Sequence, residues 1–159
     1  MSKIRELFEN PDTVYVFDVD GVLVRMEFGE YNHYTADDDV WAELVKSHDF
    51  YENMSPIVTM QDFLKDKDMN RVYVATRVMN DYEKKQKVAF LQKHYHILPN
   101  HVFEVYHNNE KLEVMKKVQE FYPELPDKYF VLVDDTVDVL TYVMENSYFS
   151  TVHNSTFLK

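Results

Sequence analysis

Apolar positions along the chain follow two alternating rhythms. Short apolar runs rich in β-branched and aromatic residues occur at Val14, Val16 and Phe17 within TVYVF, at 71–75 (RVYVA), at 101–106, at 129–133 (YFVLV) and at 148–152. Each reads as a strand, the first and fourth as buried ones. Between them apolar residues recur every three or four positions, the spacing of one helix face. Residues 3–9 predict a short helix that Asn10-Pro11 stops, because the residue before proline is pushed out of α geometry. Asp37, Asp38 and Asp39 precede Val40, Trp41, Leu44 and Val45, as acids do in the first turn of an amphipathic helix. Ser55 as cap and Pro56 at the first position predict a helix striped by Ile57, Met60, Phe63 and Leu64. Asn80 or Asp81 starts a long helix to Tyr95, with Val88, Leu91 and Tyr95 inward and Glu83 four before Lys87. Helices over 110–122 and 137–145 complete the pattern.

Strands alternating with helices predict an α/β fold: a parallel, doubly wound sheet with right-handed crossovers and strand order 3-2-1-4-5. The chain is expected to be one domain over 1–159, with 27–55, an aromatic and acidic stretch holding Phe28, Tyr31, Tyr34, Trp41, Phe50 and Tyr51, as a small lid inserted after the first strand. The lid aromatics either stack a nucleobase or pack the lid onto the domain.

Polarity changes abruptly where the strands end. The first runs into Asp18, Asp20 and Gly21, one of only two glycines in the chain. The second ends in Thr76 and Arg77, and the fourth in Asp134 and Asp135. Lys111 falls in the first turn of a helix, where the dipole disfavours a cation. Ligands of open α/β sheets bind beyond the carboxyl ends of the strands, where the chain reverses direction across the sheet. With order 3-2-1-4-5 the first and fourth strands are neighbours there, so both acid sets share one crevice. Carboxylates about 4 Å apart at an effective dielectric of about 20 repel by about 4 kcal/mol, so the cluster calls for a cation. Oxygen ligands without thiolate or paired imidazole select Mg²⁺.

Composition narrows the setting. At 159 residues, 45% hydrophobic and 15% aromatic, the chain can bury a sizeable core. It has no cysteine, which suits a reducing compartment. The opening MSKIRELFENPD has charges where a signal peptide needs its apolar run, and no apolar stretch reaches membrane-spanning length. The expectation is a soluble, cytoplasmic protein without a membrane partner. A formal charge of -11 repels a phosphate backbone, which disfavours nucleic acid as the main partner. The seven histidines are scattered and offer no ligand pair.

The motifs DVDGV at 18–22, Thr76 in VYVATR, Lys111 at a helix start and VLVDDT at 131–136 resemble, in order, the four motifs of the haloacid dehalogenase (HAD) superfamily. The segment from Phe50 to Arg77 further resembles the 5'-nucleotidase and deoxyribonucleotidase branch. The resemblance implies that Asp18 attacks phosphorus to form an aspartyl-phosphate and that Asp20 protonates the leaving alkoxide and then activates water. It implies Thr76 and Lys111 on the phosphoryl group. Arg77, at the same strand end, reads either as a contact to a substrate phosphate or base or as a solvated arginine. Mg²⁺ would be held by Asp18, the backbone carbonyl of Asp20 and Asp135, with Asp134 the alternative to Asp135. The implied activity is Mg²⁺-dependent hydrolysis of a small phosphate ester, foremost a nucleoside or deoxynucleoside monophosphate. Arg25-Met26 stand where such nucleotidases carry small and aromatic residues, which leaves the substrate open. The short lid leaves the site open or covered by a second copy in a homodimer. Two alternatives stand beside this: an inactive HAD-like domain that binds phosphate or a partner, and a polynucleotide 3'-phosphatase. A receiver domain is disfavoured, because the adjacent acid pair follows the fourth strand rather than the first.

Overall fold

The five apolar runs pair as neighbours in one parallel sheet. A computed structural model describes residues 2–27 and 37–158. Its helices are α1 (Lys3–Glu9), α2 (Asp38–Ser47), α3 (Val58–Leu64), α4 (Asp81–Tyr95), α5 (Lys111–Gln119) and α6 (Val137–Asn146). Its strands are β1 (Val14–Phe17), β2 (Val72–Arg77), β3 (Val102–Val105), β4 (Phe130–Asp134) and β5 (Ser150–His153). The sheet order is β3-β2-β1-β4-β5, and every pairing is parallel, as the alternating pattern predicts.

Side chains alternate across the sheet and so divide between two cores. Tyr15, Phe17, Val72, Val74, Val131 and Val133 join Leu7 of α1, Val45 of α2, Met60 and Leu64 of α3, and Phe90 and Leu91 of α4. Val14, Val16, Tyr73, Ala75, Phe130 and Leu132 face Leu112, Met115 and Val118 of α5 and Val139, Leu140 and Val143 of α6. The chain thus winds outward from β1 through β2 and β3 on one face, then through β4 and β5 on the other. The reversal falls between β1 and β4, whose register runs from Val14 opposite Phe130 to Phe17 opposite Val133.

One helix begins later than its sequence suggests. Ser55 and Pro56 do not open α3; Ile57 stands at its cap position. Residues 55–57 pair instead with the loop after β1: Arg25 N donates to Ser55 O at 2.9 Å, Ile57 N to Leu23 O at 3.2 Å, and Pro56 bridges Val24. Backbone hydrogen bonds to another segment outweigh the helix-starting preference of proline. Tyr95 reinforces the junction, its hydroxyl donating to Leu23 O at 2.5 Å and accepting from Ile57 N at 3.0 Å.

Within the lid stretch, residues 37–55 pack onto α4. Gln86 Nε2 donates to Val45 O at 2.7 Å and His48 O at 2.9 Å, and Asn80 Nδ2 to Ala42 O at 2.8 Å. Trp41 lies 4.9 Å from Phe50, ring to ring, and Phe50 and Tyr51 are buried. These aromatics therefore fasten the segment to the domain. Phe28, Tyr31 and Tyr34 lie outside the described residues. Among the described residues no helix is long and apolar enough to cross a membrane.

Candidate active site

The loop that follows β1 is built to turn sharply at the carboxyl edge of the sheet. Asp18 N donates to Val133 O at 2.9 Å, which extends the β1–β4 ladder by one residue and fixes the direction of the Asp18 side chain. Val19 O then accepts from the amides of Val22, Leu23 and Val24 at 3.1, 2.8 and 2.9 Å. Gly21 has φ +76, in the left-handed region, and a Cβ there would collide with Oδ2 of Asp135. Two separate features thus favour glycine: the backbone conformation, and the approach of the Asp135 carboxylate just past β4. Asn154, past β5, donates from Nδ2 to Gly21 O at 2.7 Å.

Lys111 ties the two acid sets together. Its Nζ lies 2.9 Å from Asp18 Oδ1 and 2.7 Å from Asp134 Oδ2, and the residue is 2% exposed. The unfavourable place of this cation at a helix start is offset by two buried carboxylates. Glu110, just before it, braces the turn by accepting from Tyr106 N at 2.7 Å and His107 N at 2.6 Å. Asp134 is fully buried, and its Oδ1 accepts from Thr136 N at 2.9 Å. Asp18, Asp134 and Asp135 each present a carboxylate oxygen, all within 4.8 Å of one another.

Burial pushes the Asp18 carboxyl up to about 6; Lys111 pulls it down, while Asp134 and Asp20 push it up further. Burial also raises Asp135, with Asp134 adding to it. For Lys111 burial works against the charge, yet Asp18 and Asp134 outweigh it and hold the ammonium above its ordinary range. Burial first, and the neighbouring Asp134 charge second, thus disfavour the ionised forms of Asp18 and Asp135, and a cation among their oxygens would oppose both effects. Three clustered hard oxygen donors fit a small divalent ion such as Mg²⁺.

A second buried lysine meets the other acid of the β1 loop, Asp20. Lys87 is 1% exposed, and its Nζ lies 3.0 Å from Asp20 Oδ2, 3.0 Å from Thr76 Oγ1, 2.7 Å from Arg77 O and 3.6 Å from Glu83 Oε1. Burial opposes its charge, but Asp20 and Glu83 prevail and its affinity for the proton is raised. Asp20 Oδ1 accepts a hydrogen bond from the Tyr51 hydroxyl at 2.8 Å. Glu83 in turn accepts from Trp41 Nε1 at 2.7 Å and Met79 N at 2.6 Å.

The fold thus gathers Asp18, Lys111, Asp134 and Asp135 directly, and joins Asp20 and Thr76 to one another through Lys87. The Asp20 carboxylate points toward Lys87 and Tyr51 rather than into the group formed by the other three acids. Arg77 is engaged elsewhere: its Nε donates to Tyr106 O at 3.0 Å and its Nη2 to Asp38 Oδ2 at 2.8 Å. Lys87 and Tyr51 escape sequence reasoning. The Glu83–Lys87 spacing reads as a solvated helix pair, yet Lys87 shares a face with Phe90 and Leu91, three and four positions on, which was the available signal. The chain matches no protein-family model and no curated protein.

Proposed function

We propose that the protein is a Mg²⁺-dependent phosphomonoesterase of the haloacid dehalogenase type, acting through an aspartyl-phosphate on a small phosphorylated metabolite. The observation that carries this reading is the Lys111 bridge between Asp18 and Asp134 at the β1–β4 reversal. A buried carboxylate held beside a lysine is a competent nucleophile once ionised, and phosphoryl transfer is stabilised chiefly by placed cations and donors.

In the proposed reaction an Asp18 oxygen attacks phosphorus while the bond from phosphorus to the ester oxygen breaks. The electron pair goes to that oxygen, which takes a proton from Asp20. Water then attacks the aspartyl-phosphate, losing a proton to Asp20, and Asp18 is regenerated as phosphate leaves. Thr76 and Lys111 bind and neutralise the phosphoryl oxygens. Mg²⁺, held by Asp18, Asp135 or Asp134 and the Asp20 carbonyl, would shield the charge that accumulates on them. We favour a nucleoside or deoxynucleoside monophosphate as substrate and the cytoplasm as location, since the formal charge of -11 opposes long polyanions and the chain has no cysteine.

Phosphate release from 4-nitrophenyl phosphate, with Mg²⁺ and with EDTA, tests the reading. Asp18→Asn is expected to fall to background; full retention of Mg²⁺-dependent turnover would overturn the proposal. One equivalent of phosphate kept on Asp18 without turnover would instead mark a phosphate-accepting domain.

A further inference from the structure

In the proposed reaction Asp20 delivers a proton, and two side chains hold its carboxylate from two sides. Tyr51, in the short 3-10 turn Tyr51–Asn53, donates to Oδ1, and Lys87 of α4 holds Oδ2. Neither partner can readily follow a shift of the carboxylate. Lys87 is tied to the end of β2 through Thr76 Oγ1 and Arg77 O, and to Glu83 within its own helix. The Tyr51 ring is 1% exposed and meets the Phe90 ring edge-on at 6.4 Å, and Lys87 Nζ lies 5.7 Å from its centroid. Hydrogen bonds to both oxygens fix the direction in which a carboxylate faces as well as its place. A buried lysine needed only for the fold would be satisfied by the Arg77 carbonyl and Glu83. Here one Nζ also spans Asp20 and Thr76, the residues assigned to the leaving group and the phosphoryl oxygens.

We propose that Tyr51 and Lys87 are positioning residues that aim the Asp20 carboxylate at the leaving oxygen, with Tyr51 supplied by the insertion after β1. Asp20 reacts in its protonated form: the ester oxygen keeps the electron pair of the broken bond and receives that proton, and the carboxylate left behind is the form that accepts from Tyr51 and Lys87. The insertion thereby assists cleavage of esters whose leaving oxygen needs a proton. The inference rests on the proposed phosphatase reading.

Leaving-group dependence separates positioning from mere support. An alkoxide leaving group needs the proton and a dinitrophenolate does not, so misaimed acid catalysis affects the first selectively. Tyr51→Phe removes one oxygen and keeps the ring against Phe90, so the fold is expected to survive, and a melting curve verifies this. Full-length wild type, Tyr51→Phe and Lys87→Met are compared on 2,4-dinitrophenyl phosphate and on an alkyl phosphate such as glycerol 3-phosphate, reading kcat and KM separately. Tyr51→Phe is expected to lower the ratio of alkyl to dinitrophenyl kcat by about 10–100-fold with little change in KM, and Lys87→Met to lower it in the same direction. Equal losses on both esters, or no loss on the alkyl ester with Tyr51→Phe, would overturn the inference while leaving the phosphatase reading intact. Absence of Asp18-dependent turnover of dinitrophenyl phosphate by the wild type would overturn both.

Discussion

Replacing Asp18 with asparagine should make the metal-free protein more stable at neutral pH, although the site loses its central charge. Asp18 is 9% exposed, and burial pushes its carboxyl from 3.8 up to about 6. The folded state therefore keeps a proton that the unfolded chain gives up between about pH 4 and pH 6, and the wild type loses stability as pH rises through that window. Two pKa steps of about 1.4 kcal/mol each set an upper limit of about 3 kcal/mol at pH 7. Asparagine accepts more weakly from Lys111, which offsets roughly 1–2 kcal/mol of this. The expected net gain is about 1–2 kcal/mol, a rise in Tm of roughly 2–8 °C for a chain of this length. Melting curves in EDTA from pH 4 to pH 8 measure it: the two proteins should converge near pH 4 and separate above pH 6. A variant that melts below the wild type at pH 7, or a gap independent of pH, would show that burial does not strain this carboxylate.

Three further outcomes follow from the same geometry. Lys111→Met leaves Asp18 and Asp134 buried without their shared counter-charge, and should cost about 3–5 kcal/mol in urea unfolding. Gly21→Ala forces a side chain into the left-handed region and against Asp135; a loss of about 1–2 kcal/mol is expected, with weaker Mg²⁺ binding by titration calorimetry. Mg²⁺ at about ten times its Kd should raise wild-type stability by roughly 1.4 kcal/mol and that of Asp18→Asn by less, as read in thermal shift at pH 7.5.

Most of the frame could be read from the chain because its signals are local. Buried strands such as 129–133 announce themselves by composition, and acids at their ends stand out against an apolar run. The strand order alone puts the acids that follow the first and fourth strands in one crevice. What escaped was tertiary. The start of α3 depends on hydrogen bonds from residues 55–57 to Leu23 and Arg25, which no helix-capping rule contains. Lys87 looks like one of three lysines on a polar stretch, and only the packing of α4 against β2 and the 3-10 turn at Tyr51–Asn53 turns it inward. Arg77 shows the reverse: beside the motif threonine in sequence, it is claimed by Asp38 and the Tyr106 carbonyl in space.

The central position of β1 also sets the order in which the molecule can assemble. Val14–Phe17 is made early, yet the edge that faces β4 stays unpaired until Phe130–Asp134 has been synthesised. At about 5–20 residues per second that interval is on the order of ten seconds. Through that time the strand that leads into Asp18 exposes an apolar edge, and Lys111, once made, lacks one of its two carboxylates until Asp134 follows. Pairing across so long a separation closes a large loop, a slow event in folding. The acidic crevice is therefore among the last parts of the protein to exist. A newly made chain would complete its acidic cluster only once the sheet is nearly whole, and mutations that slow the docking of β4 would delay that cluster before they lower stability.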